Sequence, residues 1–263
     1  MPTLFWTVFY LIVKLFSGTI SWSQLLNNVC SIPFSRQGHG VLWFMYTLAG
    51  LYLLTPILAR WLNHATRKEV RFYLFLWAIS LLYPTLKFFV QIDESNKGIL
   101  YYFTGYVGYF LLGWYLRNCG CQIRLKWLGL LYVLCNVAPL LIKIIHCNID
   151  TSEIFWYLSI FVALQCLTWW KAITTLVSRF SLSERTIKIL STFSNLSFGI
   201  YLCHIYFMRN VLWTCTWIKN INCQPLQIIT ISVLTLLLSA SLSYILSMSP
   251  LGNYTIGYCQ KQR

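Results

Sequence analysis

Apolar residues in this chain gather into long runs separated by short polar or basic connections. A helix needs about 20 apolar residues to cross a bilayer. On that scale eight spans are predicted: Leu4–Phe16, Val41–Trp61, Phe72–Val90, Ile99–Leu116, Trp127–Ile145, Ile154–Trp170, Leu196–Trp217 and Leu226–Met248. The first is short, and Lys14 near its end can snorkel to the interface. It lacks a basic leader and a small-residue cleavage site, so a signal peptide is not expected. Ser21–Val29 reads as a mixed, interfacial segment. Thr174–Leu190 is basic and amphipathic and is expected to lie on the membrane surface. Pro84 is expected to kink the third span. Thr104, Gly105, Gly108 and Gly113 in the fourth would let helix backbones approach closely. The fold class is therefore all-α, a polytopic membrane helix bundle of about eight transmembrane spans, in a single integral-membrane domain over residues 1–263. No internal repeat or low-complexity segment is present.

Composition supports lipid as the solvent. Charged residues make up 10% of the chain and hydrophobic ones 58%, against roughly 25% and 45–50% in soluble domains. Too few charges exist to cover a soluble surface, whereas spanning helices satisfy their own backbone groups. The net charge of +14 sits between apolar runs and not on one face, so it is read as an orientation signal, and no nucleic-acid partner is expected. Thirteen of the twenty Lys and Arg fall on one set of alternate connections, including Arg60, Arg67, Lys68, Arg71, Arg117, Arg124 and Lys126. That bias places both termini in the cytoplasm.

Chemistry-bearing residues are few. Ser194, Ser197, Tyr201 and His204 are spaced by three, four and three, so they share one face of the seventh helix. His204 falls near mid-bilayer, where an ionisable residue is a functional candidate, with a neutral hydrogen-bonded histidine as the alternative. His39, between Gly38 and Gly40, is a second candidate base at the outer mouth of the second span. Trp43, Tyr46, Thr47, Tyr52 and Thr55 interrupt that span with polar or aromatic groups lipid does not require, and Trp43 and Tyr52 are candidate channel-lining residues. His64 and His146 read as solvated loop residues. Cys119 and Cys121 form an isolated C-x-C, short of the four ligands of a zinc site, so no metal is expected. Cys30, Cys147 and Cys223 fall in outer loops, and the sequence does not choose a disulfide among them. No Walker loop, G-x-S-x-G or H-E-x-x-H is present. No acid lies within a span, which weakens proton-coupled transport.

Two stretches resemble a known family. HGVLWFMYTLAGLYLLTPIL (His39–Leu58) is similar to the H-L-W-F…G-L-Y-L-x-x-P signature of the membrane acyltransferase-3 family. SNLSFGIYLCHIYF (Ser194–Phe207) is similar to its S-x-x-I-Y-L-x-H segment, and SPLGNYTIGY (Ser249–Tyr258) to its P-L-x-x-Y ending. Order and spacing also fit, and the flavour is that of bacterial O-acetyltransferases. The resemblance implies transfer of an acyl group, as acetyl, from cytoplasmic acyl-CoA to a sugar hydroxyl of a cell-surface polysaccharide or lipid-linked sugar. It implies a plasma (inner) membrane location and no bound cofactor beyond the donor acetyl-CoA or other acyl-CoA. His204 and His39 would be the catalytic candidates, with Ser197, Tyr201, Trp43 and Tyr52 lining the substrate channel. Against the family pattern the chain starts at what looks like the third span, without the first-span Arg and His, and His39 lies two residues further from Leu-Trp-Phe. The expectation is an N-terminally shortened member, degenerate or partner-dependent. Residues alone also allow a small-solute transporter or a non-catalytic polytopic scaffold.

Overall fold

In the computed structural model, which describes residues 1–32, 42–86, 90, 99, 103, 105–121, 123–145 and 154–260, every regular element among the described residues is a helix. The chain divides into two units, Met1–Leu48 with Leu182–Arg263, and Ala49–Ser181. Helix α3 (Trp43–His64) gives its first residues to the first unit and the rest to the second.

The first unit is built on α1 (Pro2–Phe16), α2 (Trp22–Cys30), α9 (Glu184–Tyr206), a π-helical turn (Phe207–Leu212), α10 (Thr216–Lys219), α11 (Gln224–Ser247) and α12 (Gly252–Thr255). Proline in the first turn of α1 sets a helical φ where no donor is needed. Two aromatic side chains of α1 reach distant backbone: Trp6 Nε1 donates to Thr255 O at 2.8 Å and Tyr10 Oη to Leu202 O at 2.9 Å. Both rings are buried with Leu42, Met45, Leu202 and Cys203. A close seam joins α9 to α11. Thr235, Ser239, Ser243 and Ser247 recur every four residues, which puts them on one face of α11, and all are buried. Small side chains there allow the backbones to approach.

The second unit holds the remainder of α3, α4 (Arg67–Ser80), α5 (Tyr83–Leu86), α6 (Val107–Cys119), α7 (Leu125–Ile145) and α8 (Ile160–Arg179). A capping box starts α4: Thr66 Oγ1 accepts from Glu69 N at 3.3 Å, and Glu69 Oε2 accepts from Thr66 N at 2.6 Å. Trp77 presses on Gly108, where a Cβ would collide with the indole, and its Nε1 donates to Gly105 O at 2.9 Å. Helices α7 and α8 pair through Thr168, whose hydroxyl lies 3.3 Å from Leu128 O, and through the Tyr132–Trp169 rings at 6.0 Å.

Three helices, α7, α8 and α11, are long and apolar enough to cross a membrane, while α1 is shorter. The ends of α7 and α11 agree closely with the fifth and eighth predicted spans. Elsewhere the boundaries move, each for a local reason. Pro84 does not kink a continuous helix: α4 stops at Ser80, and Pro84 is the second residue of the separate α5 (Tyr83–Leu86), in a first turn where its missing N–H needs no partner. The fourth helix starts only at Val107. Of its small residues Gly108 alone makes a close approach, Gly105 and Gly113 meet nothing within 4 Å, and Thr104 lies outside the described residues. Thr174–Leu190 is not one surface helix. Its first part extends α8 to Arg179, Phe180 is extended, and Ser183 caps a new helix by accepting from Thr186 N at 3.2 Å.

Candidate active site on helix α9

Helix α9 begins with the Ser183 cap and with Glu184 in its first turn, where a carboxylate suits the positive end of the helix dipole. All four residues of the predicted polar stripe lie on it. Ser197 is exposed, and its hydroxyl donates to Ser194 O at 2.7 Å. Tyr201 is half-buried, with its ring 5.9 Å from Phe44 and 5.5 Å from the imidazole of His204.

His204 is half-buried, and its Nδ1 lies 2.6 Å from the Tyr201 carbonyl oxygen of its own helix. A carbonyl only accepts, so Nδ1 carries the proton and donates. The neutral ring then has its lone pair on Nε2, the arrangement a general base requires. Among the described residues Nε2 has no hydrogen-bond partner.

The opposite side of α9 fixes this face. Leu202 and Cys203 are fully buried. Tyr10 holds the Leu202 carbonyl, and Cys203 Sγ lies 3.7 Å from Ser239 O and 3.9 Å from Ser243 Oγ. Beyond His204 the helix widens into the π-helical turn, a feature enriched at functional sites. That turn carries Arg209, exposed, with its guanidinium 6.0 Å from the Trp213 ring.

Ser197, Tyr201 and His204 are thus brought onto one helix as expected. Trp43 is half-buried at the first turn of α3, and the ring of its neighbour Phe44 packs edge-on against Tyr201. Tyr52 is 62% exposed and belongs to the second unit. His39 lies outside the described residues. Sequence reasoning missed Phe44 and Tyr10. Phe44 stood inside the Leu-Trp-Phe motif, whereas Tyr10 gave no signal beyond being aromatic in an apolar helix. Cys30 and Cys223 are exposed free thiols, and Cys147 lies outside the described residues.

An entirely helical fold among the described residues, with three membrane-length apolar helices, defines a helical membrane protein. The chain belongs to the membrane acyltransferase-3 family: that family's model, described as an acyltransferase domain, matches residues 1–248 and so runs through both units. No curated protein and no solved structure matches.

Proposed function

We propose that the protein is a membrane O-acyltransferase that moves an acyl group, as acetyl, from acyl-CoA to a sugar hydroxyl of a cell-envelope glycan. The family match over residues 1–248 carries this reading, and the tautomer of His204 supplies its chemistry. His204 Nε2 removes the proton of the acceptor hydroxyl as its oxygen attacks the thioester carbonyl. The C–O bond forms, the C–S bond breaks, and CoA leaves as a thiol after receiving the proton from the imidazolium. General-base catalysis of this kind contributes about 10²–10⁴-fold. Tyr201 and Ser197 line the path beside the base, with Trp43 of the same unit as a further channel residue; His39 is the second candidate base. The chain crosses the plasma membrane eight times with both termini in the cytoplasm, so donor and acceptor arrive from opposite sides.

The test incubates membranes containing the protein with acetyl-labelled acetyl-CoA and envelope glycan. Base-labile label in the glycan is the expected result. Absence of transfer, with the label instead accumulating as a free solute inside vesicles, would favour transport and overturn the reading.

A further inference from the structure

The second unit contains a solvent-open cavity of about 750 Å³ at the end of α3, a broad groove lined by Pro56, Arg60, Trp61, His64 and Glu69 among others. Arg60 and His64 are four residues apart on α3 and share a face. Both are exposed, and neither makes a hydrogen bond or ion pair among the described residues. The one carboxylate in the lining is engaged elsewhere: Glu69 Oε2 accepts from Thr66 N at 2.6 Å and from Thr66 Oγ1 at 2.9 Å. Arg67, Lys68 and Arg71 on the adjoining turns of α4 add further positive charge. The cavity is therefore electropositive, with an uncommitted guanidinium on its wall. The charge bias along the sequence assigns this end of α3 to the cytoplasm.

Trp61 gives the cavity a second property. The same indole also lines an apolar cavity of about 230 Å³, together with Leu58, Tyr73, Trp77, Phe103 and Leu111. A site combining a free Arg with an aromatic wall suits a ligand that carries both phosphate and a flat ring. Guanidinium binds phosphate bidentately, and a base stacks on an aromatic face. The larger volume lies within the range of small-molecule sites, about 300–1,000 Å³. We propose that the Arg60–Trp61–His64 cavity binds the phosphorylated nucleotide end of the thioester donor, with a phosphate on Arg60 and the base against Trp61. This rests on the acyl-CoA reading given under Proposed function and assigns that donor a docking place.

The test measures equilibrium binding of radiolabelled CoA to the full chain in nanodiscs of neutral lipid, with adenosine 3′,5′-bisphosphate as competitor. The competitor is expected to displace CoA. Arg60→Gln should weaken CoA binding about 10–100-fold, the effect of losing a charged hydrogen bond. Arg60→Lys should recover part of that loss, and Trp61→Leu should weaken binding about tenfold. Lys143→Gln, a basic residue on α7 outside the cavity, should bind as the unsubstituted protein does. Arg60 is exposed, so its substitution removes no core contact, and an unchanged thermal unfolding curve verifies this. His64→Gln provides an independent variant, with a smaller loss expected. If the unsubstituted protein binds no CoA, the donor reading falls and this proposal with it. If it binds CoA and the Arg60 and Trp61 variants bind equally well, only the location is overturned. Retention of anionic phospholipid by the unsubstituted protein but not by Arg60→Gln, with equal CoA binding, would assign the cavity to a lipid headgroup and also overturn it.

Discussion

At Gly199 a methyl group would sit 2.7 Å from Ile256 Cγ2 and 2.8 Å from Ser243 Oγ. Helix α9 can therefore approach α11 only where a side chain is missing. Gly199→Ala is expected to destabilise the purified protein by about 1–3 kcal/mol, the usual cost of overpacking, read from thermal unfolding in detergent. An unchanged unfolding temperature would contradict the seam. Ser239 is the converse case. Its hydroxyl is fully buried and finds no partner among the described residues, so Ser239→Ala should be neutral or slightly stabilising, whereas Ser239→Leu should disrupt the seam. At this scale sequence reasoning found the position of His204, because a three-four-three spacing fixes a helix face. It did not find the bond from Nδ1 to the Tyr201 carbonyl, because spacing says nothing about which way a ring turns. Nor did it find why Gly199 is a glycine, since that reason lies in Ile256 and Ser243, distant in the chain.

Elements were legible where hydrophobic length alone determines them. Helices α7 and α11 are long and predominantly apolar, and their ends lie close to where hydropathy alone puts them. Boundaries were missed where a single hydroxyl or ring decides. Ser183 splits a continuous amphipathic pattern into two helices, and α4 stops at Ser80, short of Pro84, which lies in the first turn of the next helix. The start of α4 shows how such a local device responds to pH. Two hydrogen bonds from Thr66, the backbone one contributing most, hold the Glu69 carboxyl below the usual carboxylate range. A depressed acid stabilises the fold above its unfolded value, and that contribution is lost as pH falls through the folded value. Protection of amides in the first turn of α4, corrected for intrinsic exchange, should therefore decline on acidification below the ordinary Glu range. Glu69→Ala should show lower protection at neutral pH and little further acid dependence. Equal acid dependence in both proteins would remove the capping box from the explanation. Thr66→Ala should cost about 1 kcal/mol, the typical worth of an N-cap.

For the whole molecule, the three membrane-length helices and the family match point the same way: a helical membrane protein of the acyltransferase-3 family. The proposed orientation puts the exposed thiols of Cys30 and Cys223 outside. A membrane-impermeant maleimide should label both in intact cells and should reach Cys119 and Cys121 only after permeabilisation. The reverse pattern would invert the topology. Fold class and helical content were readable from the chain because lipid permits few solutions for backbone hydrogen bonds. The cavity at Arg60 and His64 was not readable. His64 looked like a solvated loop residue, and only the helical continuation of α3 to its last residue aligns it with Arg60.

The central claim is that His204 is the base. Its test is the rate of acetyl transfer from labelled acetyl-CoA to envelope glycan by unsubstituted and His204→Ala protein, at matched membrane levels and matched unfolding temperatures. A base in this position predicts a loss of at least about 10²-fold in the variant, with CoA binding retained. Transfer at the unsubstituted rate by a folded His204→Ala protein would contradict it.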